Sequence, residues 1–245
     1  MDQDLLKMLK YLRLSGVVSQ FDRFLEKAKT EDISHIQWLK SIIEEEYRLK
    51  KENARKRRLA RAKIPEIWLL QTFPFARQPK LDKKKVTNLY DDFDYITQAR
   101  NILFFGPTGV GKTGLATAFL VQAIDRGYNG RFILFPELVE LVYTSLADHS
   151  EGKVINTFAA YDCLLIDELG YVELEPVQVG LFFTLMQKRH KKKTTLITSN
   201  LGFEQWASFL KNDHLTAALI DRLTEISHIV NMKNCVSLRP KLTSR

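Results

Sequence analysis

Apolar residues in the first third of the chain recur at helical spacing. Leu5, Met8, Leu9 and Leu12 stand at i, i+3, i+4 and i+7, and after the Ser15-Gly16 break Phe21, Phe24, Leu25 and Ala28 repeat the pattern. Each run predicts a short amphipathic helix. A longer third helix is predicted from Ser34, which has capping-box spacing to Gln37, through Ile36, Leu39, Ile43 and Tyr47 into EEEYRLKKENARKRRLARAK. Residues 1–63 therefore read as a helical domain with a basic end. Pro65, Pro74 and Pro79 punctuate a connector, 64–94, whose Trp68, Phe73 and Phe75 are expected to dock on the next domain. From 95 to 245 the period changes. Apolar runs at 101–105, 131–135, 163–167 and 194–199 predict strands, and between them 113–125, 136–147 and 176–190 predict helices. Such alternation specifies an α/β domain, a parallel sheet covered on both faces with its ligands at the carboxyl ends of the strands.

The first of those strands runs into Gly106-Pro107-Thr108-Gly109-Val110-Gly111-Lys112-Thr113-Gly114, which contains the GxxxxGK[ST] phosphate loop in its required strand-loop-helix context. Gly106, Gly109 and Gly111 let backbone N–H groups turn inward around phosphate oxygens, where a side chain would block the approach. The helix that starts there adds a partial positive charge. Lys112 is expected to reach the β- and γ-phosphates of ATP and the Thr113 hydroxyl to ligate Mg²⁺.

Further along, Cys163-Leu164-Leu165-Ile166-Asp167-Glu168 is a buried-type strand ending in two acids, a Walker B element. Asp167 is expected to hold Mg²⁺, because a hard cation seeks carboxylate oxygen, and Glu168 to polarise the attacking water as general base. The next strand ends at Asn200, in the first sensor position for the γ-phosphate or the lytic water. Arg222, in the apolar helical run Ala217 to Leu223, has no evident task inside one subunit, and an arginine finger offered to a neighbour's γ-phosphate would explain it. Arg239 is a candidate second sensor.

Composition changes this picture mainly through charge. The net charge of +8 over 245 residues favours a polyanionic partner, and its distribution is uneven. Lys50, Lys51, Arg55, Lys56, Arg57, Arg58, Arg61 and Lys63 face a single acid, Glu52, across 50–63, and Lys188, Arg189, Lys191, Lys192 and Lys193 fall within six positions. With Lys83, Lys84 and Lys85 these runs are expected to neutralise DNA backbone phosphates without reading sequence. No helix-turn-helix or zinc pattern supplies base readout. Cys163 and Cys235 stand in apolar contexts and lack metal-ligand spacing, so both are expected to be core thiols. No apolar stretch approaches a membrane span and the first residues lack a cleavage signal, which points to a cytoplasmic protein with no membrane partner.

The joint set of LRLSG, ENARKRRLARAKIPE, ARNILFFGPTGVGKT, LLIDELGYVELEP, TLITSN with FEQW after it, and AALIDRL resembles the IstB-like transposition helper ATPases, relatives of the DnaC helicase loaders within the AAA+ superfamily. The resemblance covers nearly the whole chain. It implies a P-loop AAA+ core after a small N-terminal helical domain, and an ATPase that forms a homo-oligomer on duplex DNA, selects or remodels a target site, and recruits and stimulates a partner transposase. Lys112, Thr113, Asp167, Glu168, Asn200 and Arg222 match the family's catalytic motifs. Two departures stand out. The family's Gly-x-Ser-Tyr-Arg appears here as Asn234-Cys235-Val236-Ser237-Leu238-Arg239, and the 23 residues after Arg222 are too few for a full helical lid, so a reduced or absent lid is expected. Two alternatives remain open on the residues alone: a DnaC-like loader of a replicative helicase acting on single-stranded DNA, and a scaffold that holds ATP without turnover.

Overall fold

The computed structural model describes residues 1–239. It divides into two compact units, Met1–Arg57 and Arg58–Arg245, and the boundary falls inside one long helix.

The first unit contains α1 (Gln3–Tyr11), α2 (Ser15–Ser19), α3 (Phe21–Thr30) and most of α4 (His35–Ala62). The capping box at the start of α4 forms as expected: the Ser34 N–H donates to Gln37 Oε1 at 3.1 Å and the Gln37 N–H to Ser34 Oγ at 3.3 Å. The stripe Ile36, Leu39, Ile43 and Tyr47, however, is exposed. The side of α4 turned inward carries Trp38, Ile42, Glu46 and Leu49 instead. Glu46 decides this. Its buried carboxylate accepts the N–H groups of Gly16 and Val17 at 2.8 and 3.1 Å, satisfying the open start of α2. Gly16 is the residue that permits it, since a Cβ there would lie 2.5 Å from Leu49 Cδ1 and 2.8 Å from Glu46 Oε2. A buried ion-dipole contact has overridden an apolar period.

The second unit begins within α4 and takes in the connector, which packs into its core through Leu70, Phe73, Leu81, Val86, Leu89 and Phe93. It contributes α5 (Lys83–Asp92) and α6 (Asp94–Thr97). Then come β1 (Asn101–Phe105), α7 (Lys112–Asp125), β2 (Gly130–Leu134), α8 (Phe135–Thr144), α9 (Glu151–Ala160), β3 (Cys163–Leu169), α10 (Pro176–Arg189), β4 (Thr194–Ser199), α11 (Trp206–Leu210), α12 (Asp213–Thr224) and β5 (Ser227–Asn231). All strand pairs are parallel, in the order β2-β3-β4-β1-β5.

Alternation along each strand builds two cores. Ile102, Phe104, Phe132, Cys163, Leu165 and Leu196 face α7 and the connector, whereas Leu103, Phe105, Ile133, Leu164, Ile166 and Ile197 face α8 to α12. Helix α7 is apolar nearly all round, which is why it can lie across the middle of the sheet. Its start, and hence the loop before it, is thereby fixed at the carboxyl edge of β1, between β4 and β5. After β5, residues 232–239 run on without a helix. Both cysteines are buried free thiols, and burial pushes the Cys163 thiol up to about 12. Among the described residues no helix is long and apolar enough to cross a membrane.

Candidate nucleotide site

The carboxyl ends of β1, β3 and β4 converge on a cavity of about 530 Å³. Its polar wall includes Lys112, Thr113, Glu168, Asn200 and Arg239, all singled out in the sequence, and its apolar wall is Trp68, Phe73 and Pro74 from the connector. The phosphate loop 106–111 forms the floor. Lys112 is buried, and its ammonium donates to the loop carbonyls of Gly106 at 2.7 Å and Pro107 at 2.9 Å. Burial lowers its pKa, and the neighbouring charges of Asp167 and Glu168 oppose that shift.

Asp167 sits at the end of β3 with the Thr113 hydroxyl 3.0 and 3.1 Å from its two carboxylate oxygens. The residue pair expected to share Mg²⁺ is therefore assembled, and its donor set is the hard oxygen that such an ion takes. Burial raises the Asp167 pKa, against the hydrogen bonds from Thr198 and Thr113. A bound cation would hold that carboxylate charged. Thr198, not singled out by any sequence motif, ties the arrangement together: its hydroxyl donates to Asp167 and accepts the Glu168 N–H at 3.0 Å. A hydroxyl one residue before the end of a sensor strand was the available signal.

Glu168 adopts φ +62°, a left-handed conformation costly for a residue with a side chain. The cause is a bulge. Ile166 pairs with Ile197 but Leu169 with Ser199, so Asp167 and Glu168 together oppose Thr198 alone. The bulge breaks the strand's alternation and lets Asp167 meet Thr113 while Glu168 lines the cavity. Among the described residues, Asn200 Oδ1 is buried there without a hydrogen-bond partner. An orphaned acceptor at the edge of a phosphate loop fits a site completed by a ligand or its water.

Two further residues singled out in the sequence lie away from this cavity. Arg222 lies outside this cavity, in the last turn of α12, with its guanidinium 4.6 Å from the centre of the Phe183 ring and a bond to Ala218 O at 3.1 Å. Arg189, expected on a DNA-binding surface, is instead in the core, 1% exposed. Its guanidinium donates to the carbonyls of Phe158, Ala159 and Tyr161 at the end of α9, to Thr194 O and to the Thr195 hydroxyl. Its neighbours are engaged too: Lys188 with Asn156, Lys191 with Glu225 and Lys193 with Asp162, whereas Lys192 is exposed to solvent. On α4, Lys56 pairs with Glu52 and Lys50 stands 3.8 Å from Glu46, while Lys51, Arg57 and Arg61 are exposed. Arg58 points its Nε toward Ile124 O at 3.4 Å.

A parallel sheet in this order, with a glycine phosphate loop after its first strand and an Asp-Glu pair at the end of its third, defines a P-loop nucleotide-binding protein of the AAA+ type. A family model described as IstB-like ATP binding protein matches residues 7–245, and the chain belongs to that family. Its relatives include the insertion sequence IS5376 ATP-binding protein of Geobacillus stearothermophilus, 31% identical over 91% of this chain and 88% of that one. The insertion sequence IS21 ATP-binding protein of Pseudomonas aeruginosa is 29% identical over 92% and 85%. Among solved structures the fold is similar to DnaI, with a TM-score of 0.55 and 21% identity over 62% of this chain and 85% of that one. It is similar also to the DnaC helicase loader, at 0.54 and 22% over 62% and 88%.

Proposed function

We propose that this protein is an ATPase that assembles on duplex DNA and serves the transposition of an insertion sequence by selecting or remodelling the target and recruiting a transposase. The observation that carries the catalytic half is the bulge at Asp167-Glu168, which gives two adjacent carboxylates separate tasks. The association of its relatives with insertion sequences supports the transposition half.

Lys112 and the loop N–H groups hold the β- and γ-phosphates, and the ammonium exchanges its loop carbonyls for phosphate oxygens. Thr113 and Asp167 would hold Mg²⁺, which when bound would supply positive charge to offset that of the phosphates. Glu168 accepts the proton of the attacking water, and Asn200 Oδ1 orients that water or its partner. Trp68 and Phe73 offer flat apolar surface to the base. Arg222 acts on a neighbouring copy, which fits its place away from its own cavity. A mixing experiment tests this: Arg222→Ala and Lys112→Ala proteins, each inactive, should recover part of the ATPase rate when combined. If the mixture stays as inactive as its components, Arg222 does not complete a neighbour's site.

DNA contact on this reading belongs chiefly to α4 and its end. If Lys51, Arg57, Arg61 and Lys63 each neutralise one phosphate, affinity should fall by about 3.6 logarithmic units per tenfold rise in salt. A titration of labelled duplex across salt concentrations measures the slope, and a flat profile would remove these residues from the interface. Stimulation of phosphate release by single strands alone would favour a helicase loader instead.

A further inference from the structure

We propose that Gln78, in the connector, is a positioning residue that sets the phosphate loop and Arg239 in one arrangement. The inference rests on the reading of the cavity as an ATP site. Gln78 is 1% exposed. Its Nε2 donates to Val110 O at 3.0 Å and to Val236 O at 2.7 Å, and its Oε1 accepts the Val236 N–H at 3.0 Å. Val110 lies in the phosphate loop, and Val236 lies three residues before Arg239. One amide thus joins the loop to the segment after β5.

That segment, residues 232–239, lies along the outside of the loop as a strap. The Met232 N–H donates to Phe105 O at 2.6 Å and the Leu238 N–H to Gly109 O at 2.8 Å. Arg77, beside Gln78, donates to Leu238 O at 3.2 Å. The fit is close enough to exclude side chains from the loop. A Cβ at Gly106 would lie 2.7 Å from Met232 O, and one at Gly109, whose φ is +84°, would lie 2.7 Å from Ser237 Oγ. Arg239, at the end of the strap, lines the cavity with Lys112 and Glu168.

The strap has neither helix nor strand of its own to hold its shape, so apart from Met232 and Cys235, which are buried in the core, its position depends on these few bonds. Removing the Gln78 amide leaves the Val110 carbonyl and both backbone groups of Val236 without partners, all on the route between the loop and Arg239. The loop and the arginine should then lose their registration together. A residue that merely filled the core would not couple them.

The test is a titration of the full chain with a fluorescent ATP analogue. Gln78→Leu, which keeps the bulk and removes the bonds, should weaken binding about tenfold, or 1.4 kcal/mol. Arg239→Ala should weaken it too, and the double variant should bind little worse than either single one. Binding by Gln78→Leu within twofold of the unaltered protein, or a double-variant loss equal to the product of the single losses, overturns the proposal. Should Gln78→Leu fail to fold, Gln78→Asn keeps the amide one methylene short and must give the same loss and the same coupling. Failure of the unaltered chain to bind the analogue would instead overturn the ATP reading itself.

Discussion

Replacing Glu168 with Gln is expected to slow ATP hydrolysis by about 10² to 10⁴-fold while nucleotide and DNA binding persist. The amide matches the carboxylate in size, so the bulge and the Glu168 N–H bond to Thr198 have no reason to change. What disappears is the group proposed to take the proton. The result should be a stable ATP-bound, DNA-bound assembly, visible by electron microscopy on duplex DNA and by the loss of phosphate release. Asp167→Asn should behave differently. It weakens the carboxylate that faces Thr113, and so should reduce nucleotide affinity in the presence of Mg²⁺ as well as turnover. Phosphate release at the unaltered rate from Glu168→Gln protein would take Glu168 out of the reaction.

The largest effect on stability is expected at Arg189. Its guanidinium serves the carbonyls at the end of α9 and the first residues of β4, the strand that carries Thr198 and leads to Asn200. Burial pulls its pKa down to about 10, which still leaves it charged at neutral pH. Arg189→Met keeps much of the volume but strands several buried carbonyls, a loss of about 3–5 kcal/mol by analogy with broken buried charge contacts. In a domain of this size that corresponds to a fall of roughly 10 °C in melting temperature. Lys192→Ala, an exposed change in the same basic run, should stay within about 0.5 kcal/mol. Equal melting temperatures for Arg189→Met and the unaltered protein would show that those carbonyls find other partners.

Arg189 also marks where charge patterning misleads. Five cations in six positions look the same in a sequence whether they face DNA or one of them turns inward to close a helix end. The turn inward depends on α9, which the apolar pattern at 151–160 does not announce, and on the edge of β4 lying beside it. The exposed stripe on α4 is the converse case: its apolar period is real, yet Glu46 has a stronger claim because two amide donors at the start of α2 need an acceptor. The edge strand β5 has no clear sequence signal because its alternating pattern, Ser227 to Asn231, is short and half exposed.

The phosphate-loop motif, the paired acids near the end of β3, the strands that carry them and the family were all legible in the chain of residues, because each is a local matter of backbone freedom, side-chain chemistry and period. Four features were settled by packing alone: which face of α4 turns inward, the burial of Arg189, the tie that Thr198 makes between Asp167 and Glu168, and the hydrogen bonds by which Gln78 joins Val110 to Val236. Those contacts join positions from about thirty to more than one hundred and fifty residues apart. No period or motif spans such distances; they exist only once burial has brought unsatisfied polar groups together and left each to find a partner.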